Sequence, residues 1–370
     1  MIIGVLKEYQ DNRVSLTPQE VKQLRQREIE VWIEENAGIQ AGFDNEEYLQ
    51  SGAQIKQRDQ ILQADIILSI NRFPELQNFQ FKENQWIMGL YNPYDQDLIR
   101  VVMEKGLNYV ALELIPRISR AQSMDVLSSM ATVAGYKAVV LAASYTNKMF
   151  PMLTTAGGTI TPAKVLVIGA GVAGLQALAT AKRLGAMVWV FDPRPATKEQ
   201  VKSLGGNYIE FTINQPVETK EGYAKELSEE ILEQERQILK PYIIQSNIVI
   251  TTASVPGKKP PLLITTQTVK EMKSGSVIVD ITGYNCQLTQ LNQIVHFENK
   301  TIIGYTNLPS LVAHDSSKLY SRNIFNLILH LSKNTNQLNP NFEDEIDKNV
   351  IAVYQNKLVS PKIKRENGDN

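Results

Sequence analysis

The chain has 370 residues, of which 43% are hydrophobic and 21% charged, and its formal net charge is −1 at pH 7. This length predicts about two domains, and the near-neutral charge argues against nucleic acid binding and against a polybasic membrane-surface segment. A single cysteine, Cys286, excludes an intramolecular disulfide and is typical of a reducing compartment. The three histidines, His296, His314 and His330, lie far apart without metal-ligand spacing, so we expect no metal site.

The first residues, MIIGVLKEY, lack the charged and then apolar pattern of a signal peptide. No stretch is expected to provide the ~18 apolar residues of a membrane span. The longest candidate, near residues 138–143, is soon interrupted by Ser144, Asn147 and Lys148. We therefore expect a soluble chain whose membrane role, if it has one, depends on a partner.

Residues 1–115 alternate between strand and helix signals. Thr17-Pro18-Gln19-Glu20 is typical of a capping box that begins a helix, and Asp44 with Glu47 begins a short second one. A further helix is predicted at 97–105. Apolar runs predict strands at residues 2–6, 31–33, 66–70, 86–90 and 109–114. This alternation predicts a parallel α/β sheet that forms a first domain.

The segment 115–130, IPRISRAQSMDVLSSM, is dense in polar side chains and follows a predicted strand. Two interpretations stay open: a loop that lines a cleft, or a solvated connector. A long helix over 131–150 should then lead into the second domain, followed by a loop with the sequence TTAGGTITPAK.

Residues 164–192 read KVLVIGAGVAGLQALATAKRLGAMVWVFD, a strand–glycine turn–helix–strand pattern with the helix over 172–184. In this G-x-G-x-x-G arrangement Gly169 would allow the tight turn, Gly171 would let backbone N–H groups approach a pyrophosphate, and Gly174 would let helix and strand pack closely. The helix N-terminus would supply donors and a positive partial charge for phosphates.

Asp192 ends the second strand of this unit, 23 residues after Gly169. A carboxylate there can accept the two ribose hydroxyls of an adenosine and would repel a 2′-phosphate, which favours NAD over NADP. Arg194 is two residues further on. It could accommodate a 2′-phosphate, but we expect it to cover the adenine or pair with a phosphate.

The remaining elements complete a second sheet and return the chain to the first domain. The pattern predicts a strand at 208–211, a mobile loop at 212–221, and a charged helix at 223–239. Other predicted elements are a helix at 197–204, strands at 248–252, 276–280 and 301–304, and a helix at 316–332. The tail SPKIKRENGDN should be frayed.

The sequence thus predicts an α/β protein with two doubly wound Rossmann-like domains separated by a cleft and joined by long crossing helices. The first domain would comprise residues 1–130 plus 312–370, and the second residues 131–311. Ligands of such sheets bind beyond the carboxyl ends of the strands. We therefore expect the loops after Ile168, Asp192, Thr252 and Asp280 to gather at the cleft, with 117–129 as its opposite wall.

Several segments occur in the order found in one enzyme family: VLKEYQDNRVSLTP, AGFDNEEY, PRISRAQSMDVLSS, AGYKAV, VIGAGVAGLQA, FDPRPATKEQVKSLG, GYAKELSEE, TTASVPG and GSVIVD. Together they resemble the soluble NAD(H)-binding component, the first part of the alpha subunit, of proton-translocating NAD(P) transhydrogenase. The wider superfamily includes alanine dehydrogenase. The resemblance spans nearly the whole chain.

This resemblance implies that the chain binds NADH and passes a hydride to NADP⁺ held on a partner subunit, with the reaction coupled to proton translocation by a membrane subunit. It implies NAD(H) as cofactor, NADP(H) as co-substrate on the partner, and a homodimer. The membrane spans would be encoded on a separate chain. The protein would then be cytoplasmic, peripheral to the inner (plasma) membrane through its partner subunits.

Carried over by motif, the resemblance also implies site residues. Arg117, Gln122, Asp125 and Ser128 would surround the nicotinamide and its ribose, and Gly222 and Tyr223 would belong to a loop that closes over the nucleotide. The implied catalytic residues are Gln122, Arg117, Asp125 and Tyr223. The implied cofactor-binding residues are Arg117, Gln122, Ser128, Gly169, Gly171, Val172, Gly174, Asp192, Arg194, Gly222 and Thr252. Asp125 could instead cap the following helix, and Tyr223 could simply pack at a helix start.

Two alternatives remain: an NAD-dependent alanine-type dehydrogenase, and a non-catalytic NAD(H)-binding module. A dehydrogenase needs a positioned acid/base, usually His or Lys, whereas transfer between two nicotinamides needs none. Where alanine dehydrogenases carry a lysine and a histidine, this chain has Ser69 and the stretch 89–93, GLYNP. Arg13 persists but cannot act as an acid/base at neutral pH. A structural salt bridge is its alternative role.

Two positions depart from the family pattern. Met130 stands where the family usually has glutamine, beside the expected nicotinamide pocket. The loop after Asp280, ITGYNCQ, is shorter than the family's glycine-paired stretch. We expect this shortening to alter partner docking or substrate fit.

Overall fold

The computed structural model describes residues 1–211, 228–255, 258–333 and 335–366. The chain divides into two compact units, Met1–Met130 with Ser310–Asn370, and Ala131–Pro309. Each unit has its own sheet, and apolar side chains pack on both faces of each sheet. The α/β class with Rossmann-like parallel sheets is confirmed.

The strands are short and mostly buried, as parallel strands between helices should be. In chain order they are β1 (Ile2–Val5), β2 (Glu30–Glu34), β3 (Gln54–Lys56), β4 (Ile66–Leu68), β5 (Trp86–Gly89), β6 (Asn108–Ala111), β7 (Leu153–Thr155), β8 (Gly158–Ile160), β9 (Lys164–Ile168), β10 (Met187–Phe191), β11 (Asn207–Tyr208), β12 (Ile248–Thr251), β13 (Val277–Asp280), β14 (Ile294–Phe297), β15 (Lys300–Ile303), β16 (Ile351–Tyr354) and β17 (Lys357–Leu358).

The α-helices of the described residues alternate with these strands. They are α1 (Pro18–Arg25), α2 (Asn45–Gln50), α3 (Arg58–Ile61), α4 (Gln96–Glu104), α5 (Val126–Tyr145), α6 (Val172–Arg183), α7 (Thr197–Ser203), α8 (Glu229–Gln245), α9 (Thr266–Glu271), α10 (Ala313–Ser332), α11 (Glu345–Val350) and α12 (Pro361–Glu366). Short 3₁₀ helices lie at Ile39–Ala41, Pro74–Leu76, Leu112–Leu114, Ser119–Met124 and Leu308–Val312.

In the first unit the strand order is β17-β16-β6-β5-β4-β1-β2-β3. Strands β1 to β6 pair in parallel, whereas β16 runs antiparallel to β6 and β17. The chain order reverses between β1 and β4, which makes the carboxyl ends of these strands the switch point of a doubly wound sheet.

In the second unit the order is β11-β10-β9-β12-β13-β15-β14, parallel except for the β14–β15 pair. The reversal lies between β9 and β12, so the loops that follow Ile168 and Thr251 meet at the second switch point. The backbone N–H of Thr252 donates to Ile168 O at 2.8 Å and joins the two loops directly.

Most predicted elements of the two sheets are confirmed, with ends shifted by a few residues. The capping box at Asp44 and Glu47 is present in full, and Asn45–Gln50 follows it. The capping box predicted at Thr17 is wrong, because its side chain makes no cap hydrogen bond and instead donates to the Glu20 carboxylate. Glu20 is buried and also accepts from Ser321 of α10, so a long-range contact replaces the local one.

Four further predictions are corrected by the structure. Helix α5 begins and ends five residues earlier than the predicted 131–150. Helix α8 continues through Pro241, since the buried side chains on both sides of the proline hold it in place. The stretch predicted as a loop at TTAGGTITPAK contains the β7–β8 hairpin. The tail is helical over Pro361–Glu366, where Ile363 is buried, and only residues 367–370 lie outside the described range.

Among the described helices, α5 alone is long and apolar enough to cross a membrane, judged by length and composition. Its 20 residues contain a single charged side chain, Lys137, so the sequence prediction underestimated its apolar length. The core helix of a soluble protein meets the same criterion, and 44% of the apolar stretch is buried. This is weak evidence for a membrane span.

The first unit contains a cluster that the histidine spacing did not suggest. His330 of α10 meets Asp344 and Asp347 near α11, and these groups could hold a metal ion. Their atoms already have protein partners: His330 Nε2 lies 2.7 Å from Asp347 Oδ1, Asp347 Oδ2 accepts from Asn341 N, and Asp344 pairs with Arg120. The geometry therefore describes an ion-pair network that joins α10 to α11.

This network predicts a pH-dependent stability. The hydrogen bond that His330 Nε2 donates to the Asp347 carboxylate raises the pKa of His330 above its ordinary value. The stabilisation is full below the unfolded pKa of about 6.5 and is lost as the pH rises through the higher folded pKa. We expect His330→Asn to remove about 1 kcal/mol of the stability difference between pH 6 and pH 9, measured by urea unfolding.

The control is His296→Asn, because His296 is an exposed histidine of β14 without a carboxylate partner in the described contacts. That variant should keep the wild-type pH dependence. Equal pH dependence in wild type and His330→Asn would contradict the prediction.

Candidate functional site

Two of the three glycines, Gly169 and Gly171, lie in the loop between β9 and α6, and Gly174 lies in the first turn of α6. Gly169 has φ +98°, in the left-handed region that favours glycine. A Cβ at Gly169 would lie 2.5 Å from Thr252 Oγ1, and a Cβ at Gly174 would lie 1.8 Å from Gly169 O. These two positions therefore require glycine for the turn and for close helix packing.

Gly171 differs from the other two glycines. It precedes the first residue of α6, and a Cβ built there would have no heavy atom within 4 Å. The open space lies at the start of a 12-residue helix whose first N–H groups have no intrahelical acceptors. A cradle of this kind fits an anionic group such as a pyrophosphate.

Asp192 lies at the end of β10 and is 3% exposed. Its Oδ2 accepts from Ala170 N and Arg194 Nη2, both at 2.7 Å, and its Oδ1 accepts from Arg194 N at 2.9 Å and Nε at 2.8 Å. Asp192 thus ties the glycine loop to β10 and forms a bidentate ion pair with Arg194. Both oxygens of this carboxylate are therefore already occupied by hydrogen bonds within the chain.

Thr252 supports the glycine loop from the neighbouring strand. Its hydroxyl donates to Ile168 O at 3.3 Å and to Gly169 O at 3.2 Å. These bonds give Thr252 a structural role at the switch point between β9 and β12.

The short loop after β13 is organised by Asp280, which is fully buried. Its carboxylate accepts hydrogen bonds from Thr251 Oγ1 of β12 and from backbone and hydroxyl groups that follow β13: Thr282 N, Thr282 Oγ1, Gly283 N, Cys286 N and Thr289 Oγ1. Asn285 adds a link to the next loop, accepting from Ala253 N at 3.1 Å. The ITGYNCQ stretch is therefore a turn held by many hydrogen bonds to one buried carboxylate.

Comparison with known proteins gives the context of these features. Family models described as alanine dehydrogenase/PNT match residues 4–134 (N-terminal domain) and 138–361 (C-terminal domain). The chain belongs to the alanine dehydrogenase/PNT family.

Within this family, the chain is 40% identical to the NAD(P) transhydrogenase subunit alpha of Haemophilus influenzae over 369 residues, covering 98% of this chain and 72% of that one. It is also 40% identical to the first part of NAD(P) transhydrogenase subunit alpha of Rickettsia prowazekii, covering 97% and 96%. The transhydrogenase structure from Sinorhizobium meliloti superposes with a TM-score of 0.84 at 33% identity, covering 98% of this chain and all of that one.

The family's polar segment lies in the first unit, on the 3₁₀ helix Ser119–Met124 and the start of α5. Ala121 and Met124 anchor it in the core, and Ser123 O accepts from Asn323 Nδ2 and Asn326 Nδ2 of α10. The side chains of Arg117 and Gln122 are exposed. The segment is thus a fixed platform that presents polar groups on its surface.

Asp125 and Ser128 come together at the start of α5. Asp125 Oδ1 accepts from Ser128 N at 2.9 Å, and Asp125 Oδ2 accepts from Ser128 Oγ at 2.5 Å. This is the helix-capping role that the sequence left open for Asp125. Met130, two residues further along α5, is buried in the core of the first unit.

Gly222 and Tyr223, with the loop predicted at 212–221, lie outside the described residues.

Arg13 and Ser69, at the positions considered for an alanine dehydrogenase-type site, both interact with other side chains of this chain. Arg13 forms a buried bidentate ion pair with Asp11, through Nε to Oδ1 at 2.9 Å and Nη2 to Oδ2 at 2.5 Å. Ser69 Oγ lies 2.6 Å from Tyr91 Oη. The salt-bridge role of Arg13 is therefore present in the fold.

Sequence reasoning missed three acidic residues. Desolvation raises the pKa of Glu8 and of Glu113 to about 7, at the carboxyl ends of the first unit's strands. The Glu8 carboxylate accepts hydrogen bonds from Ile70 N and Asn71 N. It therefore occupies the switch point between β1 and β4. The third is Glu235, which interrupts the apolar row of α8. This charged residue among apolar positions was the one sequence signal that could have pointed to a buried carboxyl group at Glu235.

Proposed function

We propose that this chain is the NAD(H)-binding subunit of NAD(P)⁺ transhydrogenase, which transfers a hydride from NADH to NADP⁺ bound on a partner subunit. The observation that supports this most directly is the glycine cradle at Gly171 together with Asp192 at the end of β10, in a chain whose relatives are named transhydrogenase subunits. The bound NAD(H) would supply the hydride.

The residues of the second unit fit the two ends of such a nucleotide. The first-turn amides of α6, beginning at Val172, would hold the pyrophosphate, since the space before them is open. Asp192 and Arg194 would hold the adenosine ribose after their ion pair separates. Gly169, Gly174 and Thr252 would shape the turn rather than touch the ligand.

For the nicotinamide end we propose Arg117, Gln122, Asp125 and Ser128. Arg117 and Gln122 would hydrogen-bond the carboxamide and the ribose, while Asp125 and Ser128 would keep the platform in place through their mutual hydrogen bonds. Catalysis would consist of positioning and water exclusion, because a hydride passing between two nicotinamides needs no proton shuttle. Gly222 and Tyr223 remain candidates for a loop that covers the nucleotide.

The proposed partners are an NADP(H)-binding subunit and a membrane-spanning subunit that couples transfer to proton translocation. The relatives are named as an alpha subunit and as the first part of an alpha subunit, which supports the existence of other subunits. The protein would then lie in the cytoplasm, held at the inner membrane through these subunits.

We also propose a homodimer. The β7–β8 hairpin supports it, because this pair of strands forms a separate two-stranded sheet with exposed apolar side chains at Leu153 and Ile160. An isolated hairpin of this kind is marginally stable unless something packs against it. Sedimentation equilibrium of the purified chain tests the homodimer, because it measures the mass of the particle in solution.

The competing dehydrogenase function calls for a direct test, because Glu8 and Glu113 have pKa values near neutrality and could exchange protons. Against it, Arg13 is neutralised by Asp11, and Glu8 is already held by backbone hydrogen bonds from Ile70 N and Asn71 N. We therefore expect no oxidation of NADH with pyruvate plus ammonia.

The deciding experiment mixes the purified chain with an NADP(H)-binding component of a related transhydrogenase. Hydride transfer from NADH to thio-NADP⁺ is then followed by absorbance. Transfer that requires both components supports the proposal. Binding of NADH without transfer would favour a non-catalytic nucleotide-binding module, and turnover with an oxo acid would favour the dehydrogenase.

In the same assay, Gln122→Ala should lower the hydride-transfer rate by about 10- to 100-fold, while NADH affinity changes less than about threefold. The reason is that Gln122 would orient the reacting ring and contribute little to overall binding. Ser119→Ala is the matched control, since Ser119 is exposed on the same 3₁₀ helix. An unchanged rate in Gln122→Ala would remove this residue from the site.

A further inference from the structure

A cleft of about 340 Å³ lies in the first unit, at the amino ends of its strands. Met1 before β1, Asp65 before β4 and the turn 82–85 before β5 line it, together with residues 336–338, which follow α10. Small-molecule sites have volumes of about 300–1,000 Å³. The switch point of this sheet lies at the opposite, carboxyl ends of the strands. The cleft is therefore separate from the residues proposed to hold the nucleotide.

Backbone hydrogen bonds fix the wall of the cleft at Asp65. Asp65 N donates to Ile2 O at 3.0 Å, and Trp86 N donates to Asp65 O at 2.9 Å, so β1 and β5 hold this residue from both sides. Its carboxylate accepts from Ile2 N through Oδ2 at 2.7 Å. The other oxygen, Oδ1, accepts no hydrogen bond among the described residues and is available to a ligand.

The turn 82–85 is the second fixed wall. Gln85 is 3% exposed, its Oε1 accepts from Lys82 N at 3.0 Å, and its Nε2 donates to Leu62 O at 2.8 Å. Asn84 N donates to Gly106 O at 2.8 Å. These bonds hold the turn on both sides and leave the side chains of Lys82 and Glu83 exposed. The cleft is thus already formed in the absence of a ligand.

Charges of both signs line this cleft. Asp65 and Glu83 supply carboxylates, and the Glu83 carboxylate has no ion-pair or hydrogen-bond partner in the part of the chain that the structure describes. Lys82 supplies an ammonium group. Its Nζ donates to Gln63 O and keeps further N–H donors for a ligand. A ligand that matches these walls carries both an ammonium group and an anionic acceptor.

Trp86 adds a hydrogen-bond donor in a mostly apolar setting. It lines the cleft and is 9% exposed, and its indole N–H has no acceptor among the described residues. Trp32, by contrast, donates through Nε1 to Glu30 Oε1 at 2.7 Å. Buried indole N–H groups usually have an acceptor, so a ligand of this cleft should offer one. Ile66 and Leu338 beside Trp86 provide apolar surface for a hydrocarbon side chain.

We propose that this cleft binds a small zwitterion of the α-amino acid class. The ammonium group of the ligand pairs with Asp65 and Glu83, its carboxylate accepts from Lys82 Nζ and Trp86 Nε1, and its side chain packs on the apolar surface. Hydrogen bonds between charged partners are the stronger ones, so a ligand that lacks either charge loses a large part of its affinity. This inference does not depend on the nucleotide-binding function proposed for the second unit.

The test is isothermal titration calorimetry of the full chain with three probes that share one branched apolar stem. L-leucine has both charges, 3-methylbutylamine lacks the carboxylate, and 4-methylpentanoate lacks the amine. We expect L-leucine to bind at least about tenfold more tightly than either of the other two. In ¹⁵N-labelled protein, L-leucine should shift the indole N–H resonance of Trp86 and leave those of Trp32 and Trp189 in place.

Glu83→Gln removes one carboxylate from the cleft and keeps the size of the side chain. Because Glu83 is exposed on the turn, the midpoint of thermal unfolding should stay at the wild-type value, while L-leucine affinity should fall about tenfold. The matched control is Glu104→Gln, since Glu104 is an exposed carboxylate at the end of α4 that does not line the cleft. This control should bind L-leucine as the wild type does.

Three results would overturn the inference. They are L-leucine binding that is absent or no tighter than that of the singly charged probes, an unmoved Trp86 resonance at saturation, and equal L-leucine affinity in Glu83→Gln and the wild type. The first two need no variant. Loss of the proposed transhydrogenase function has a separate signature, because it concerns NADH binding and hydride transfer, which none of these measurements uses.

Discussion

Gly171→Ala should weaken NADH binding by about 100-fold while leaving the fold intact. Gly171 has φ −75°, which alanine adopts freely, and a Cβ there meets no protein atom within 4 Å. The methyl group would instead occupy the space in which a pyrophosphate contacts the first-turn amides of α6. A 100-fold loss corresponds to about 2.7 kcal/mol, which is within the range of about 1.5–3 kcal/mol for losing one charge-assisted hydrogen bond. NADH fluorescence titration and thermal unfolding measure the two consequences separately.

Gly174→Ala, in the first turn of α6, is the matched comparison. Its Cβ would lie 1.8 Å from Gly169 O, so the backbone itself would have to move. We expect the midpoint of thermal unfolding and NADH affinity to fall together in this variant, whereas they separate in Gly171→Ala. NADH binding at wild-type strength in Gly171→Ala would show that no ligand phosphate rests on this turn.

The second large effect is expected for Asp192→Ala, which should lose about 3–5 kcal/mol of unfolding free energy as well as NADH binding. The substitution removes the acceptor of Ala170 N and of three Arg194 donors in a buried setting. The Arg194 guanidinium would keep its charge without this partner, and the glycine loop would lose its link to β10. Urea unfolding and NADH titration measure the two losses.

Asp192→Asn separates the structural from the ligand-binding contribution. The amide oxygen can still accept from Ala170 N, so the loop should keep most of its stability, but the charge that pairs with Arg194 is gone. We expect the unfolding free energy of Asp192→Asn to lie between that of the wild type and that of Asp192→Ala. If Asp192→Ala unfolds at the wild-type urea concentration, the hydrogen bonds of this carboxylate do not stabilise the second unit.

Features that depend on neighbours in sequence could be predicted in advance. The G-x-G-x-x-G turn is confirmed as a structure because φ and steric space at Gly169 and Gly174 are properties of a few adjacent residues. The capping box of Asp44 and Glu47 closes within one helical turn. The parallel order of each sheet also followed from alternating strands and helices.

Features that depend on residues distant in sequence could not be predicted in advance. Thr17 and Glu20 have the spacing of a capping box, yet Ser321, some 300 positions away in sequence, makes the contact that redirects Glu20. His330 finds Asp347 only when α10 packs near α11. Glu235 looked like one more charge on a charged helix, and only the packing of α8 against the sheet buried it.

By itself, therefore, the sequence determined the class of fold, the glycine turn before α6 and the family to which the motifs belong, since backbone turns and hydrophobic periodicity act over short distances along the chain. The tertiary structure decided which carboxylates are paired, which are buried and which are left without a partner. That division has a physical cause: the cost of burying a charge depends on every group that surrounds it, and those groups come from all regions of the chain.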